Sequence, residues 1–564
     1  MERNLPHFAL RPDTGRDRLQ GHKALAELII LCDLLHRALG PEGAARVAPW
    51  VAFARRQLAD AGADEHLARN PHLLLPYATM EAGLRGCGAE LPDLRRVVQQ
   101  VVDTGHGTAH ERLPYRTMDL AYILERGGYR HPFPPLEALY PATLLATCPS
   151  PLWLKTSEAY QATHTLFYLG DFGLDPARLA AHPDAPRLRS FVAHLLGVHV
   201  RQRDWDLVAE LLLDCRCLGH APEPLASLAW QALHDAWEAH GLVPGPSFDP
   251  ALRGTLGPAE WERYCFDENY HTVLVTLLAC AVWSRPVPPI APGPARTPPT
   301  LDEDRIRSAL AAAAGWLSAQ AGAPGLAADD RAHAALGLAS AVAAGADPAA
   351  EAALRSLLPA LTFEALLGCD PLAVALLNPL LAAASVPAPA VAQAAAVVLE
   401  VCRQAPGPPG ARQFLLAAAG LLEIPQAPMA WSQPLSSLFA GRDTVLLAAA
   451  RLQALGPRSA AALAASPLAQ AVLESALHEA FMRYDLEAGL ALLLPLGQAA
   501  PRGEAVAVAL DFLLAQQHPA GYVGFQDAGT GPGAAALRVQ QKVRTTAWAA
   551  WTLRGLLHPA KRPA

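Results

Sequence analysis

Apolar residues recur every three or four positions along most of this chain. His22 to Leu39 sets the pattern: Leu25, Leu28, Ile29, Cys32, Leu35 and Leu39 fall on one stripe of a helix. The stripe stops at Gly40-Pro41, a pair that ends helices. The same spacing predicts helices over Pro114–Arg126, Pro135–Cys148, Ser157–Leu169, Leu188–Val200, Asp204–Leu218, Pro224–His240 and Glu260–Trp283. Further on it predicts Leu301–Gln320, Asp329–Ala344, Pro371–Ala384 with a break at Pro379, Pro389–Arg403, Ala411–Leu422 and Thr444–Leu455. Pro467–Arg483, Leu486–Leu496, Gly503–Gln517 and Arg544–Leu557 complete the series. Pro or Gly separates most of these segments. The expected fold class is therefore all-α, with short helices paired into stacked hairpins that close as α/α toroids or run on as a superhelix.

One stretch interrupts the pattern. Residues 285–300, RPVPPIAPGPARTPPT, hold seven prolines in sixteen positions, too many for a helix or sheet to cross. This linker divides an N-terminal module, 1–284, from an Ala-rich C-terminal module, 301–564. His, Trp and Tyr concentrate on the N-terminal side, which makes it the expected seat of any chemistry.

Composition narrows the classes. Hydrophobic residues make up 52% of the 564 positions, enough for extensive burial, and Ala and Leu favour helix over strand. The net charge of −7 leaves no basic excess to hold a phosphate backbone, so nucleic acid is not an expected partner. The most apolar stretch, Leu372 to Leu399, is broken by Asn378, Pro379, Pro387 and Pro389, so no membrane span is expected. The first twenty residues lack a basic-then-apolar leader, and the nine Cys form no CxxC pair; both point to reduced thiols and a cytoplasmic location.

Three segments carry candidate chemistry. In SEAYQATHTLFYLGDFG, His164 and Asp171 are seven apart and share a face if the helix continues, with Tyr160 and Tyr168 close by. His164 reads either as a general base with Asp171 as its orienting partner or as a core His bonded to Asp or Tyr. In FDENYHTVL, Glu268 and His271 stand at i, i+3, the spacing by which bundles present a carboxylate and an imidazole to one metal, although such pairs also arise by accident. A metal-bound variant would take a divalent transition metal on Glu268, His271 and His164. In PYRTMDLAYILERGG, Arg116 and Asp119 form an i, i+3 pair that reads as a structural tie or as an anchor for carboxylate or phosphate. His106 and His110 fall in a Gly-flanked segment read as loop, and Asp204 and Asp206 read as a helix cap and first-turn acid.

These segments also carry a resemblance. Arg116, Asp119, Tyr122 and Gly127, then Thr163, His164, Tyr168, Asp171, Phe172 and Gly173, then Tyr270, His271 and Thr272, resemble a group of uncharacterised bacterial proteins. That group is classed under a domain of unknown function, common in actinobacteria and often near specialised-metabolite genes. The resemblance covers residues 20–284 and implies a shared helical fold and a shared site. Separately, FLLAQQHPAGYVGF at 512–525 and RTTAWAAWTL at 544–553 resemble one hairpin of prenyltransferase and terpene-cyclase toroids. The acidic motifs of those enzymes are not matched, since Asp329-Asp330 is followed by Arg-Ala-His.

The leading expectation is an enzyme acting on a small molecule or peptide in bacterial specialised metabolism. It would work by acid–base catalysis or with a metal, drawing His164, Asp171, Glu268, His271, Arg116 and Asp119 to one hollow, with Tyr168 a further catalytic candidate. The alternatives are a non-catalytic helical-repeat binding or scaffold protein, and a terpene-cyclase-like enzyme.

Overall fold

The computed structural model describes residues 2–10, 16–148, 150–286, 301–323, 325–424, 431–525 and 534–557. The described residues form 28 α-helices joined by turns and short 3-10 segments, with no strand, so the fold is all-α. The chain divides into two compact units, Met1–Arg296 and Thr297–Ala564. Most of the proline-rich stretch, from residue 287 to 300, lies outside the described residues.

Helix ends follow the local chemistry. Pro114–Arg126 forms as predicted, with Pro in its first turn, where a missing amide hydrogen costs nothing. The single helix predicted over Pro135–Cys148 is instead three short turns, Leu136–Leu139, Tyr140–Ala142 and Leu144–Thr147. Thr143 is extended there, and its hydroxyl caps the last turn by accepting from the Ala146 amide. The break predicted at Pro379 does not occur, and the helix Pro371–Ala383 runs through it. Burial of Leu376, Leu377, Leu380 and Leu381 outweighs the hydrogen bond that Pro379 cannot make. Among the described residues no single helix is long and apolar enough to cross a membrane.

Five helices of the first unit position the site: α1 (Arg16–Leu39), α2 (Pro114–Arg126), α3 (Thr156–Leu169), α4 (Trp205–Cys217) and α5 (Pro258–Trp283). Helix α1 packs on α5, α5 on α4, α4 on α3, and α3 on α2. Helix α4 is central: every residue from Trp205 to Cys215 is buried. A helix enclosed on all sides needs apolar residues all round, and WDLVAELLLDC, residues 205–215, supplies them except at Asp206, Glu210 and Asp214. Gly245 lets its loop lie against α5. A β-carbon there would sit 2.0 Å from the Glu268 carbonyl oxygen, while the Gly245 amide donates to Asn269 Oδ1 at 2.8 Å.

In the second unit, Ala328–Ala343 packs along Ala534–Leu557. Gly337 permits the close approach, since a β-carbon there would lie 3.1 Å from Ala547 Cα. Arg544 ties the pair by reaching Asp329 at 2.8 Å and Asp330 at 3.0 Å. The Asp-Asp pair is therefore engaged within its own fold. The turn after Glu504–Ala515 is closed by a bridge between Gln517 and Val523, and Gln517 Nε2 donates to Ala309 and Gly521 carbonyls.

Candidate functional site: a histidine–carboxylate cluster

The cluster is built from α4 outward. Asp204 caps α4 by accepting from the Leu207 amide, which sets Asp206 in the first turn and Glu210 one turn later. Both carboxylates are buried, at 2% and 1% exposure. Buried carboxylates need partners, and the neighbouring helices provide them. From α3, Tyr160 donates its hydroxyl to Asp206 Oδ2 at 2.6 Å and Thr163 donates to Glu210 Oε2 at 2.5 Å. From α5, Thr272 donates to Asp206 Oδ1 at 2.8 Å.

Two imidazoles complete it. His271 Nε2 lies 3.5 Å from Asp206 Oδ2 and 3.7 Å from Glu210 Oε1. His164 Nε2 lies 3.4 Å from the same Glu210 oxygen. On its other side, His271 Nδ1 is 2.9 Å from Glu27 Oε2 on α1. The bond order Glu27, His271, Asp206 and Glu210, His164 thus repeats the packing order α1, α5, α4, α3. Each imidazole side chain keeps about a quarter of its surface exposed, 28% for His271 and 24% for His164, so a small molecule can reach the cluster.

The charges are strongly interdependent. Burial by itself would lower His271, but Glu27, Glu210 and Asp206 hold its imidazole protonated well above the ordinary histidine range. Burial raises Glu210, yet His164 and His271 overcome this and keep it ionised, below the usual carboxylate range. Burial raises Glu27 as well, and His271 and Lys23 more than offset it. Asp206 moves the other way: burial and the Glu210 charge raise it in spite of His271, Tyr160 and Thr272. A cation already stands among these carboxylates in the form of a proton on His271.

The same atoms suit a metal ion. One donor atom each from Asp206, Glu210 and His271 lie within 4.8 Å of one another. A tetrahedral transition metal with bonds of about 2.0–2.2 Å spaces its ligand atoms roughly 3.4 Å apart. The separations of 3.5 and 3.7 Å from His271 Nε2 to Asp206 Oδ2 and Glu210 Oε1 are close to that spacing. Glu27 on His271 Nδ1 is the partner that turns the opposite nitrogen toward a metal.

The structure brings some of the sequence candidates together and separates others. His164 and His271 meet over Glu210. Asp119 is nearby: Arg116 NH1 lies 3.2 Å from it, and it feels the charge of His164. Asp171 does not pair with His164. Helix α3 ends at Leu169, and Asp171 and Phe172 turn into the left-handed region at φ 46° and 53°, so the expected shared face is lost. Asp171 accepts instead from Arg37 and Tyr122, each at 2.7 Å, in a packing knot with Asp33 and Arg126. Glu268, expected beside His271, makes no side-chain hydrogen bond or ion pair among the described residues. The carboxylates that face His271 come across from α1 and α4 rather than from its own helix. His106 opens a short helical turn, His106–Ala109, where a loop was expected, and His110 follows it in extended conformation, with their Nε2 atoms 2.8 Å apart.

Sequence reasoning missed Glu27 and Glu210 and read Asp206 only as a first-turn acid. A signal was present for the last two. Asp206, Glu210 and Asp214 repeat at i, i+4, i+8 in an otherwise apolar helix, which places three acids on one buried face. Glu27 had no such signal, because its relation to His271 spans 244 residues.

Fold and cluster together define an all-helical protein whose N-terminal unit holds a histidine–carboxylate centre between its helices. The model of the family described as Domain of unknown function (DUF6895) matches residues 1–281, the stretch that carries α1 to α4 and all but the last two residues of α5. No curated protein and no solved structure matches the chain.

A large cavity lies elsewhere. About 1090 Å³ in volume, it is lined by Trp230, Trp237, Trp261, Phe266, Tyr270 and Leu274 among others. The α5 residues that line it centre on the helix face opposite His271, so the cavity and the cluster are served by two sides of one helix.

Proposed function

We propose that the N-terminal unit is a metal-dependent enzyme acting on a small molecule or peptide, with a divalent transition metal on His271, Glu210 and Asp206 and with His164 beside them on Glu210. The observation that carries this reading is the convergence of His271 Nε2 and His164 Nε2 on one oxygen of Glu210, at 3.7 and 3.4 Å. One imidazole and two carboxylates suit zinc, iron, manganese or cobalt. Such an ion polarises a substrate oxygen or makes a nucleophile of bound water near neutral pH. The partly exposed imidazole edges leave room for that exchange.

Metal analysis tests this directly. The purified full chain, incubated in turn with zinc, iron(II), manganese and cobalt and then desalted, is expected to retain about one ion per chain of at least one metal. Retention well below one ion for all four overturns the reading.

A second reading, a binding protein without catalysis, has its own observation in the aromatic cavity behind α5. Cavities of this size and lining take drug-sized apolar ligands. The environment-sensitive dye ANS is expected to bind there and to quench tryptophan emission. Trp230→Leu is expected to weaken that binding at least several-fold, and equal binding by the variant removes this reading.

A further inference from the structure

Arg116 stands at the edge of the cluster in an unusual setting. It sits in the first turn of α2, one turn before Asp119. Its NH1 is held 3.2 Å from Asp119 Oδ2, and its guanidinium lies over the Tyr115 ring at 4.9 Å. That ring is itself 6.2 Å from the ring of His164. The side chain nevertheless remains 49% exposed. One edge of the guanidinium is thus held by a largely covered carboxylate and one face by an aromatic ring. The inner cluster contributes mainly carboxylates, so Arg116 is the fixed cation beside it that solvent can reach. Lys23, near Glu27 at 3.6 Å, is a flexible and more exposed point charge.

We infer that Arg116 anchors an oxyanion group, carboxylate or phosphate, of the molecule that reaches the centre, holding it beside the metal on the His164 side. The inference rests on the metal reading above and adds a substrate class to it. A guanidinium pre-set by a carboxylate and a stacked ring loses little freedom on binding and offers two parallel N–H groups to two oxygens. The metal supplies the second positive charge, so an anionic group bridging toward the ion is held at two points. Asp119 then positions Arg116 and does not touch the ligand.

Cobalt provides the probe. The cobalt-loaded full chain is titrated with inorganic phosphate and, separately, with acetate, and the visible cobalt absorption is followed. Binding of one or both anions is expected, and the tighter of the two tells phosphate from carboxylate. Arg116→Gln is expected to load cobalt as before and to weaken the anion at least tenfold. Arg116→Lys, which keeps the charge but not the fork, is expected to fall between. If Arg116→Gln does not fold, Arg116→Lys carries the comparison, because it retains a cation for Asp119. Equal anion affinity in the folded variants overturns the inference and leaves the metal centre standing. So does a wild-type chain that binds cobalt but neither anion, or a variant that loses cobalt together with the anion, which makes Arg116 a structural tie. A wild-type chain that takes up no cobalt overturns this inference, and failure with the other three metals as well removes the metal reading beneath it.

Discussion

Glu210→Gln is expected to lower metal affinity by at least about 100-fold, and Glu27→Gln by about 10- to 100-fold, with helix content unchanged in both. The two changes differ in kind. Glu210 offers the oxygen that both imidazoles face, so its amide removes a charged ligand from the middle of the set. Glu27 is behind His271, where it fixes which nitrogen carries the hydrogen. Its amide can still hydrogen-bond to Nδ1 but no longer balances positive charge. Metal titration of each variant by calorimetry checks the order. Equal losses would mean that Glu27 is itself a ligand, and no loss in Glu210→Gln would place the ion elsewhere. Since metal must displace the proton held on His271, affinity for the ion is expected to rise with pH.

Asp214→Leu is expected to stabilise the protein at neutral pH by roughly 1–3 kcal/mol, the usual cost of a buried polar group without a partner. Asp214 is fully buried on α4, and neither of its carboxyl oxygens has a hydrogen-bond partner among the described residues. Burial, reinforced by the Glu210 charge one turn away, raises its carboxyl well above the ordinary range. The sign follows from proton counting. The folded state keeps the proton while the unfolded chain releases it above about pH 4, so this group makes stability fall as pH rises from there. Leucine has nearly the same shape and no proton to hold. Thermal unfolding from pH 4.5 to 8 should show the variant gaining on the wild type as pH rises. A melting temperature lowered at every pH would show that Asp214 has a partner that stabilises it.

How much of this was legible in the sequence depends on the range of the interaction. Helices were readable because their signal is local: the stripe from Leu25 to Leu39 and the Pro-led start at Pro114 each lie within one element. His164 and His271 were readable as unusual polar residues in apolar helices. Their partners were misassigned because proximity along the chain stood in for proximity in space. Asp171 failed when two left-handed residues ended the helix face, and Glu268 failed because its helix presents His271 toward other helices. Pro379 shows the same limit in reverse, where tertiary burial overrode a correct local rule.

The span between Glu27 and His271, 244 residues, has a consequence for biosynthesis. A nascent chain leaves the ribosome with the carboxylate that orients His271 early and His271 itself only when the N-terminal unit is nearly finished. Until then no partial product can present the full donor set. Capture of an ion by this centre would therefore mark a chain already assembled to α5, and truncated products would compete poorly for scarce metal in the cell.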